Sequence, residues 1–220
     1  MVARRLLVAA VFVAVVHVST GAWGRPSTAA TVYRLRADPR LCPSPLCGGF
    51  WASRVNRAST PCLDGVAHAA CYAASVDLSA LTPAVRARVG SLLSSGRVLV
   101  EGGFARYSRD EFPQLAKLVA DHVWLAAGPH REIVTVYRVI DTGLRCIRAP
   151  CFSLRATVVN GTRSLTLSGL DLAGTEAPAA AIRRAQDALV HGGLLAGGTI
   201  RTGTGETGRT LVATQVWLPA

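Results

Sequence analysis

The hydrophobic and polar positions along the chain predict two similar sets of strands. Apolar residues alternate with polar ones through five stretches of each half, a pattern typical of half-buried strands. In the first half the predicted strands are Val32–Arg36, Phe50–Asn56, Tyr72–Leu78, Arg97–Tyr107 and Lys117–Leu125. In the second half they are Val134–Ile140, Leu154–Asn160, Leu165–Leu172, Leu194–Ile200 and Leu211–Leu218.

One helix is predicted between the third and fourth strands of each half. In the first half Thr82 is a suitable N-cap and Pro83 a suitable first residue, and an apolar stripe at helical spacing runs on to Gly96. In the second half a helix is predicted over Glu176–Val190, capped by Thr175. Strands around a single helix in each half predict an α+β fold with a mostly antiparallel sheet. Whether the halves form one sheet or two stays open.

The two halves also match in sequence, which predicts an internal duplication. Tyr33-Arg34, Cys42, Cys47 and Asn56 each lie 104 residues before the same residue types, at Tyr137-Arg138, Cys146, Cys151 and Asn160. Val123-Trp124-Leu125 recurs as Val216-Trp217-Leu218 at an offset of 93. We therefore expect a first module over residues 25–127, a connector over 128–132 and a second module over 133–220.

The difference between the two copies predicts how the six cysteines pair. Asp77-Leu78 recurs as Asp171-Leu172 at an offset of 94, so the second copy lacks ten residues after Asn56. The segment from Cys62 to Cys71 is ten residues long, so the second copy lacks both cysteines together. The predicted disulfides are Cys42–Cys47, Cys62–Cys71 and Cys146–Cys151. We expect no metal site, because Cys-x4-Cys is a poor zinc spacing.

Residues 1–24 have the pattern of a signal peptide. Two arginines, Arg4 and Arg5, precede an unbroken apolar run of eleven residues, Leu6 to Val16, and small residues follow. Cleavage is expected after Gly24, with Ala22 as the second choice. The apolar run is short for a membrane span, so an uncleaved anchor is the minor alternative. We expect a secreted or periplasmic protein with no membrane insertion after cleavage.

The charge distribution narrows the class of partner. The formal net charge is +11, or about +9 once Arg4 and Arg5 leave with the signal peptide. The arginines are spread along the chain and are not interleaved with aromatic residues, so no nucleic-acid partner is predicted. Compositional bias is one explanation of the charge, and attraction to an anionic polymer of the cell envelope is the other. The expected partner is an unknown protein or such a polymer.

Catalytic motifs are missing from the sequence. The histidines of the mature chain do not recur between the copies, which excludes a duplicated active site. A hydrolase with one asymmetric site, using His122 or His191, stays as an alternative. The glycine-rich segment Gly203–Thr210 predicts a hairpin turn rather than a nucleotide-binding loop, because a strand and not a helix follows it. No cofactor is expected.

Two groups of residues are candidates for binding. Trp124 and Trp217 occupy matched strand positions, where core packing is the main interpretation and a stacking surface for sugars or peptides is the alternative. The loop between Cys42 and Cys47 is stiffened by prolines and a disulfide, which suits a structural corner or the reactive loop of a protease inhibitor. Its candidate residues are Pro43, Ser44, Pro45 and Leu46. Asn160-Gly161-Thr162 is a glycosylation sequon.

The cysteine segments resemble those of a known family. Cys42-Pro43-Ser44-Pro45-Leu46-Cys47-Gly48-Gly49 and Cys146-Ile147-Arg148-Ala149-Pro150-Cys151 are similar to segments of a family of secreted bacterial domains of unknown function. The resemblance covers nearly the whole mature chain and implies an exported bacterial protein. It implies no activity and supplies no catalytic residue. The sequence therefore favours a non-enzymatic binding or scaffold module of the envelope or extracellular space.

Overall fold

The computed structural model describes residues 30–107, 111–129, 135–203 and 208–220. The predicted signal peptide lies outside these ranges, as do the predicted cleavage site and most of the predicted connector. Residues 204–207 of the glycine-rich segment lie outside them as well. Within the described ranges, no helix combines the length and apolarity that crossing a membrane would need.

The first half of the chain contains eight described strands and one α-helix. They are β1 (Thr31–Ala37), β2 (Phe50–Arg54), β3 (Thr60–Pro61), β4 (Ala67–His68), β5 (Cys71–Ala73), β6 (Ser75–Asp77), α1 (Pro83–Gly90), β7 (Val98–Arg106) and β8 (Ala116–Ala126). A 3-10 turn, Leu93–Ser95, separates α1 from β7.

The second half contains six described strands and one α-helix. They are β9 (Val136–Asp141), β10 (Leu154–Val158), β11 (Ser164–Leu167), β12 (Gly169–Asp171), α2 (Ala179–Val190), β13 (Leu194–Thr202) and β14 (Arg209–Pro219). A 3-10 turn, Ala173–Thr175, precedes α2.

Twelve of the described strands form one sheet that runs through both halves. Its order is β11-β10-β9-β13-β14-β8-β7-β1-β2-β5, and the halves join where β14 pairs with β8. Read outward from that junction, each side has the same sequence of roles: a long hairpin, the first strand of the half, its second strand and a short strand. Most pairs are antiparallel, as predicted. The exceptions are β6 on β8 and β12 on β14, which are parallel.

The third predicted strand of each half is wrong as a single strand. The first-half stretch divides into β5 and β6, which pair with β2 and β8 respectively. The second-half stretch divides into β11 and β12, which pair with β10 and β14. Each stretch leaves the sheet edge and rejoins the sheet beside the central hairpin, so one residue between the short strands is in neither ladder. Alternation of apolar residues does not reveal such a change of partner.

The helices differ in how closely they follow prediction. Thr82 caps α1 through a hydrogen bond from the Val85 amide (3.4 Å), and Pro83 is its first residue. The second helix begins three residues later than predicted and is not capped by Thr175. Glu176 has a left-handed backbone (φ 51°), which breaks the helix before it can start there. The hairpin of β3 and β4, inside the extra segment of the first half, was not predicted.

Each helix covers apolar residues of its own half on one face of the sheet. The first-half cluster packs around Val89 of α1 and the second-half cluster around Ala181 and Ala185 of α2. A third cluster lies on the opposite face, since Val32 belongs to it whereas its neighbour Tyr33 belongs to the first-half cluster. The third cluster draws on both halves: Val32, Val55, Leu99, Trp124, Ala126, Val136, Val159, Leu195 and Trp217.

The sheet curls around this third cluster. Strands β1 and β9 are five strand steps apart in the sheet order, which would separate them by roughly 24 Å if the sheet were flat. Val32 of β1 and Val136 of β9 nevertheless share one cluster. A β-bulge follows Glu101 in β7 and another follows Gly197 in β13. Bulges increase local twist and bend, which favours the curl.

Glycine is required at both bulges. A Cβ atom at Gly102 would overlap the carbonyl oxygen of Val119, and one at Gly198 would overlap that of Val212. The two bulges therefore bring backbone to backbone at a distance that only glycine allows.

Candidate anion-binding site

Asn56, just after β2, binds the backbone of the second half. Its Nδ2 donates hydrogen bonds to the carbonyl oxygens of Val136 (2.7 Å) and Val159 (3.0 Å), and its Oδ1 accepts one from the Val136 amide (2.9 Å). The residue has a left-handed backbone, with φ 60°, which asparagine tolerates better than most residues. One side chain thus satisfies three backbone groups across the open side of the curled sheet.

Asn160, just after β10, makes the corresponding bonds to the first half. Its Nδ2 donates to the carbonyls of Val32 (2.7 Å) and Val55 (2.9 Å), and its Oδ1 accepts from the Val32 amide (2.9 Å). Its φ is 57°. We call the two asparagines and these six bonds the asparagine clasp. A glycan on the sequon would attach at this Nδ2 and break both of its bonds, so the clasp disfavours modification there.

A polar cavity of about 730 Å³ lies beside the clasp between the two halves. Its described lining contains four arginines and neither aspartate nor glutamate. Uncompensated like charges around a concave surface raise the local concentration of anions. We call this the arginine cavity. Its arginines are Arg34, Arg54, Arg57 and Arg163, and its hydroxyl-bearing residues are Ser53, Thr135, Tyr137 and Thr162.

The four guanidinium groups are held to different degrees. Arg57 donates through Nε to the Asn160 carbonyl (2.7 Å), and Arg54 donates through Nε to the Ser59 carbonyl (3.0 Å). Both bonds position the group while leaving its two Nη atoms for other partners. Arg34 and Arg163 make no side-chain hydrogen bond or ion pair to any residue in the described ranges. A guanidinium fork suits the paired oxygens of carboxylate or phosphate.

A second cavity, of about 500 Å³, adjoins the first across the clasp, and its described lining contains three arginines, Arg54, Arg57 and Arg138, and one carboxylate, that of Glu101. Glu101, only 7% exposed, accepts hydrogen bonds at Oε2 from Trp124 Nε1 (2.9 Å) and Arg138 Nη2 (2.7 Å). The guanidinium carbon of Arg138 also lies 4.9 Å from the centroid of the Trp124 ring. We call these three residues the Trp-Glu-Arg triad. It joins the halves, because Arg138 comes from β9 and the other two from β7 and β8.

In the second half a glycine takes the place of the triad glutamate. Glu101 lies opposite His122 in the β7–β8 ladder, and Gly197 lies opposite Gln215 in the β13–β14 ladder. A bulge follows directly in both ladders. Trp217, the counterpart of the triad tryptophan, is 1% exposed, and its Nε1 has no hydrogen-bond partner among the described residues.

The arginine of the triad also has a counterpart. Arg138 lies opposite Leu195 in the β9–β13 ladder, and Arg34 lies opposite Leu99 in the β1–β7 ladder. Arg138 has a carboxylate partner and Arg34 has none in the described part of the chain. The arginine cavity therefore contains the cationic part of a second triad without its acid.

The two tryptophans offered as a stacking surface are both core residues. Trp124 is 5% exposed and Trp217 is 1% exposed, and both belong to the third cluster. Stacking a sugar or peptide needs an open ring face, which neither has. The sequence did not single out Arg34, Arg54, Arg57, Arg163 or Glu101. Of these residues, only Arg34 was visible in the sequence pattern, as part of the repeated Tyr-Arg pair. The others could not be found from the sequence, because only the curl of the sheet brings them together.

Three disulfides are present in the structure. They join Cys42 to Cys47, Cys62 to Cys71 and Cys146 to Cys151, with Cα–Cα distances of 5.4, 5.6 and 5.4 Å. These are the pairs that the difference between the two copies predicts. Each bridge lies within one half, so the halves are held together by the sheet, the clasp and the triad.

Two side chains from outside the loop between Cys42 and Cys47 hold its backbone in place. Tyr72 donates its hydroxyl to the Pro45 carbonyl (2.9 Å), and Arg40 Nη2 donates to the Leu46 carbonyl (3.1 Å). Pro45 is buried, whereas the other candidate residues of the loop, Pro43, Ser44 and Leu46, are exposed. The loop is therefore a rigid corner with three side chains open to solvent.

Asp38 anchors the base of that loop. Its carboxylate accepts hydrogen bonds from Arg40 Nε (2.9 and 3.0 Å) and from Trp51 Nε1 (3.2 Å). The hydrogen bonds from Arg40 lower the pKa of this carboxyl to about 2, against the opposing effect of burial. The Arg40 guanidinium in turn lies 5.2 Å from the Trp51 ring centroid. The carboxylate is thus charged throughout the physiological range.

The second cysteine loop is more open. Arg145, just before it, pairs with Asp141 through two hydrogen bonds of 3.0 Å, and these lower the pKa of Asp141. Ile147 inside the loop is fully exposed. A single exposed apolar side chain is ordinary on a protein surface, so Ile147 by itself indicates no partner.

Both histidines of the hydrolase alternative line one cavity of about 480 Å³. Asp121 and Thr82 belong to the same lining. His191 Nδ1 bonds to the Asp187 carbonyl (2.9 Å), and the Thr82 hydroxyl caps α1. No hydrogen bond joins these histidines to Asp121 or Thr82 among the described residues, so the cavity holds suitable residue types without a proton relay.

Cys62, Asp64 and His68 bring metal-binding residue types close together. Cys62 is bonded to Cys71, so its sulfur is not a thiolate. Asp64 and His68 bond to each other at 2.9 Å on the surface. The cluster is accounted for by the disulfide and this pair.

The chain belongs to the family described as a domain of unknown function, DUF6748, whose model matches residues 31–220. The match spans both halves, from β1 to the last residue. No curated protein and no solved structure matches the chain. The membership agrees with the expected resemblance to a family of domains of unknown function, and it assigns no activity.

Proposed function

We propose that the protein is an exported, non-enzymatic binding protein that holds an anionic ligand in the arginine cavity. The observation that carries this proposal is the composition of the cavity lining. Among the described residues, that lining contains four arginines and no carboxylate. Arg34 and Arg54 are half-buried, and Arg57 and Arg163 are exposed. Like charges gathered around one concave surface attract a counter-charge. An anionic polymer of the cell envelope supplies that charge and agrees with the net charge of the chain.

Export and internal duplication are part of the same proposal. The basic and apolar pattern of residues 1–24 supports a cleaved signal peptide, and three disulfides suit an oxidising compartment. The strand roles repeat outward from the β8–β14 junction, which supports two tandem modules. On this proposal the ligand site is made by the pair of modules, because the arginine cavity takes its lining from both.

The proposal is tested by measuring binding of an anionic and a neutral polymer to the mature chain. Isothermal titration calorimetry with polygalacturonate and with dextran, at low and high salt, separates charge recognition from other contacts. We expect polygalacturonate to bind, more weakly at high salt, and dextran not to bind. The variant Arg57→Gln/Arg163→Gln should weaken binding at least about tenfold, since each lost charge-assisted bond is worth about 1.5–3 kcal/mol.

The matched control removes the same charge elsewhere. Arg36 and Arg183 are exposed and lie outside the cavity, so Arg36→Gln/Arg183→Gln should leave affinity within about twofold. Equal losses in the two double variants would mean that net charge alone attracts the polymer. That result would overturn the assignment of the cavity.

Protease inhibition is a second candidate function, favoured by the loop between Cys42 and Cys47. The buried Pro45 and the fixed carbonyls of Pro45 and Leu46 hold the loop in one shape, which lowers the entropy cost of binding an enzyme. A panel of secreted serine, cysteine and metalloproteases at micromolar protein tests it. Inhibition that disappears in Leu46→Gly would support this function, and an unaffected panel would remove it.

A hydrolase site around His122 and His191 has the weaker support of a shared cavity. Chromogenic ester and glycoside substrates, assayed with the wild type and with His122→Ala/His191→Ala, test it directly. Turnover that the double variant loses would replace the binding proposal.

A further inference from the structure

We propose that the arginine cavity recognises a carboxylate of an acidic polysaccharide, and that this group takes the position that Glu101 occupies in the triad. The inference rests on the proposed function and names its ligand. In the first half, a carboxylate of the chain itself meets an indole N–H and a guanidinium. In the second half, the corresponding indole and guanidinium are present and the carboxylate is not.

Three observations place the missing acid at Gly197. The ladder register puts Gly197 opposite Gln215 as Glu101 is opposite His122, and a bulge follows both residues. The Nε1 of Trp217 is buried and has no partner in the described part of the chain. An orphaned buried N–H costs free energy that a ligand oxygen would recover.

Arg34 of the arginine cavity supplies the guanidinium that such a site needs. Arg34 corresponds to Arg138 in register, lies in the lining and has no described partner. In the triad the arginine bridges to the other half, where it meets Glu101 and Trp124. By the same relationship we expect Arg34 to reach the second-half position beside Gly197 and Trp217, two residues that lie outside the described lining of the cavity.

The rest of the lining favours a sugar chain over a peptide. Ser53, Thr135, Tyr137 and Thr162 present hydroxyl groups, and the apolar side chains of the lining, one alanine and three valines, are small. Hydroxyls can donate to and accept from the hydroxyl groups of a polysaccharide. Arg54, Arg57 and Arg163 belong to the same lining, where they can meet further carboxylates of a repeating acidic polymer.

The test follows the indole N–H signal of Trp217 in the ¹⁵N-labelled mature chain. Trp217→Phe identifies that signal, and trigalacturonate, triglutamate and inorganic tripolyphosphate are titrated separately. We expect trigalacturonate to shift the Trp217 signal and leave that of Trp124 in place. Arg34→Gln should weaken trigalacturonate binding at least about tenfold. The matched variant Arg138→Gln, at the position that already has an acid, should weaken it less than about threefold.

The possible results distinguish failure of the carboxylate site from failure of the proposed function. Trigalacturonate that binds equally well to Arg34→Gln, without moving the Trp217 signal, overturns the carboxylate site while the arginine cavity stands. An equal shift with tripolyphosphate overturns its selectivity for carboxylate, and tighter binding of triglutamate overturns the assignment to a polysaccharide. If none of the three anions binds, the proposed function itself fails. Arg34 has no described side-chain bond, so its variant should melt at the wild-type temperature.

Discussion

Asn56 and Asn160 each hold the first strand of the opposite half, through side-chain bonds that span 80 and 128 residues of sequence. Each asparagine satisfies one amide and two carbonyls at the open side of the curled sheet. The clasp also forms part of the wall between the two cavities, because the arginine cavity lies on one side of it and the cavity of the triad on the other. Its loss should therefore affect both stability and ligand binding.

Replacing Asn56 by alanine should destabilise the protein by about 3 to 5 kcal/mol. The change removes three hydrogen bonds to part-buried backbone groups, each worth about 1 kcal/mol or more, and the Val136 carbonyl keeps another partner, the Val159 amide. It also places alanine in the left-handed region at a further cost of about 1–2 kcal/mol. Chemical denaturation monitored by circular dichroism measures the free energy of unfolding.

Glycine at the same position separates the two causes. Asn56→Gly keeps the left-handed backbone without strain, so it should recover roughly 1 kcal/mol relative to alanine while still lacking the hydrogen bonds. Asn56→Asp keeps the acceptor for the Val136 amide but loses both donors, and it should also be less stable than wild type. An Asn56→Gly protein as stable as wild type would show that the hydrogen bonds contribute nothing.

The clasp marks the limit of what could be predicted from the sequence. The matching positions of Asn56 and Asn160 were visible as part of the repeat. Their role was not, because it depends on the curl that brings β1 and β9 together. By contrast, the disulfide pairs follow from one local comparison of the two copies, and the cap at Thr82 follows from two adjacent residues.

The asymmetry between Glu101 and Gly197 could not be predicted for a similar reason. Neither residue lies in a matched stretch of sequence, and only the ladder register and the bulges make them counterparts. The later start of α2 had a local signal that the prediction missed. Pro178 favours an extended residue before it, which argues against a helix running through Ala177.

Tryptophan-to-phenylalanine substitutions should separate the two halves of the site. Trp124→Phe removes a hydrogen bond to a buried carboxylate, so it should cost about 1.5–3 kcal/mol. Trp217→Phe removes an N–H that has no described partner, so it should cost less than about 1.5 kcal/mol in the ligand-free protein. Thermal and chemical unfolding of both variants without ligand provide the comparison. Equal costs would contradict the absence of a partner at Trp217.

Asp38→Asn should destabilise the protein at neutral pH, and the difference from wild type should shrink in acid. The folded pKa of Asp38 is lowered from 3.8 to about 2, so the carboxylate stabilises the fold above its unfolded pKa. That contribution is lost as the pH falls from about 4 towards about 2. Melting temperatures of both proteins between pH 7 and pH 2 measure it. A difference that stayed constant across this range would indicate that the charge is unimportant.

Removing Cys62–Cys71 should cost more stability than removing Cys146–Cys151. Loops of ten and six residues give closely similar chain-entropy contributions, about 2 to 3 kcal/mol each, so the closed loop itself does not distinguish them. Their surroundings do, because Cys71 is 3% exposed within β5, whereas Cys146 is exposed. Replacing both cysteines of each pair by alanine avoids leaving a free thiol, and denaturation then gives the two costs.

The first variant also releases the β3–β4 hairpin, which should become the first site of limited proteolysis. Equal costs and unchanged proteolysis would mean that the extra segment of the first half is held by β3 and β4 without help from its disulfide.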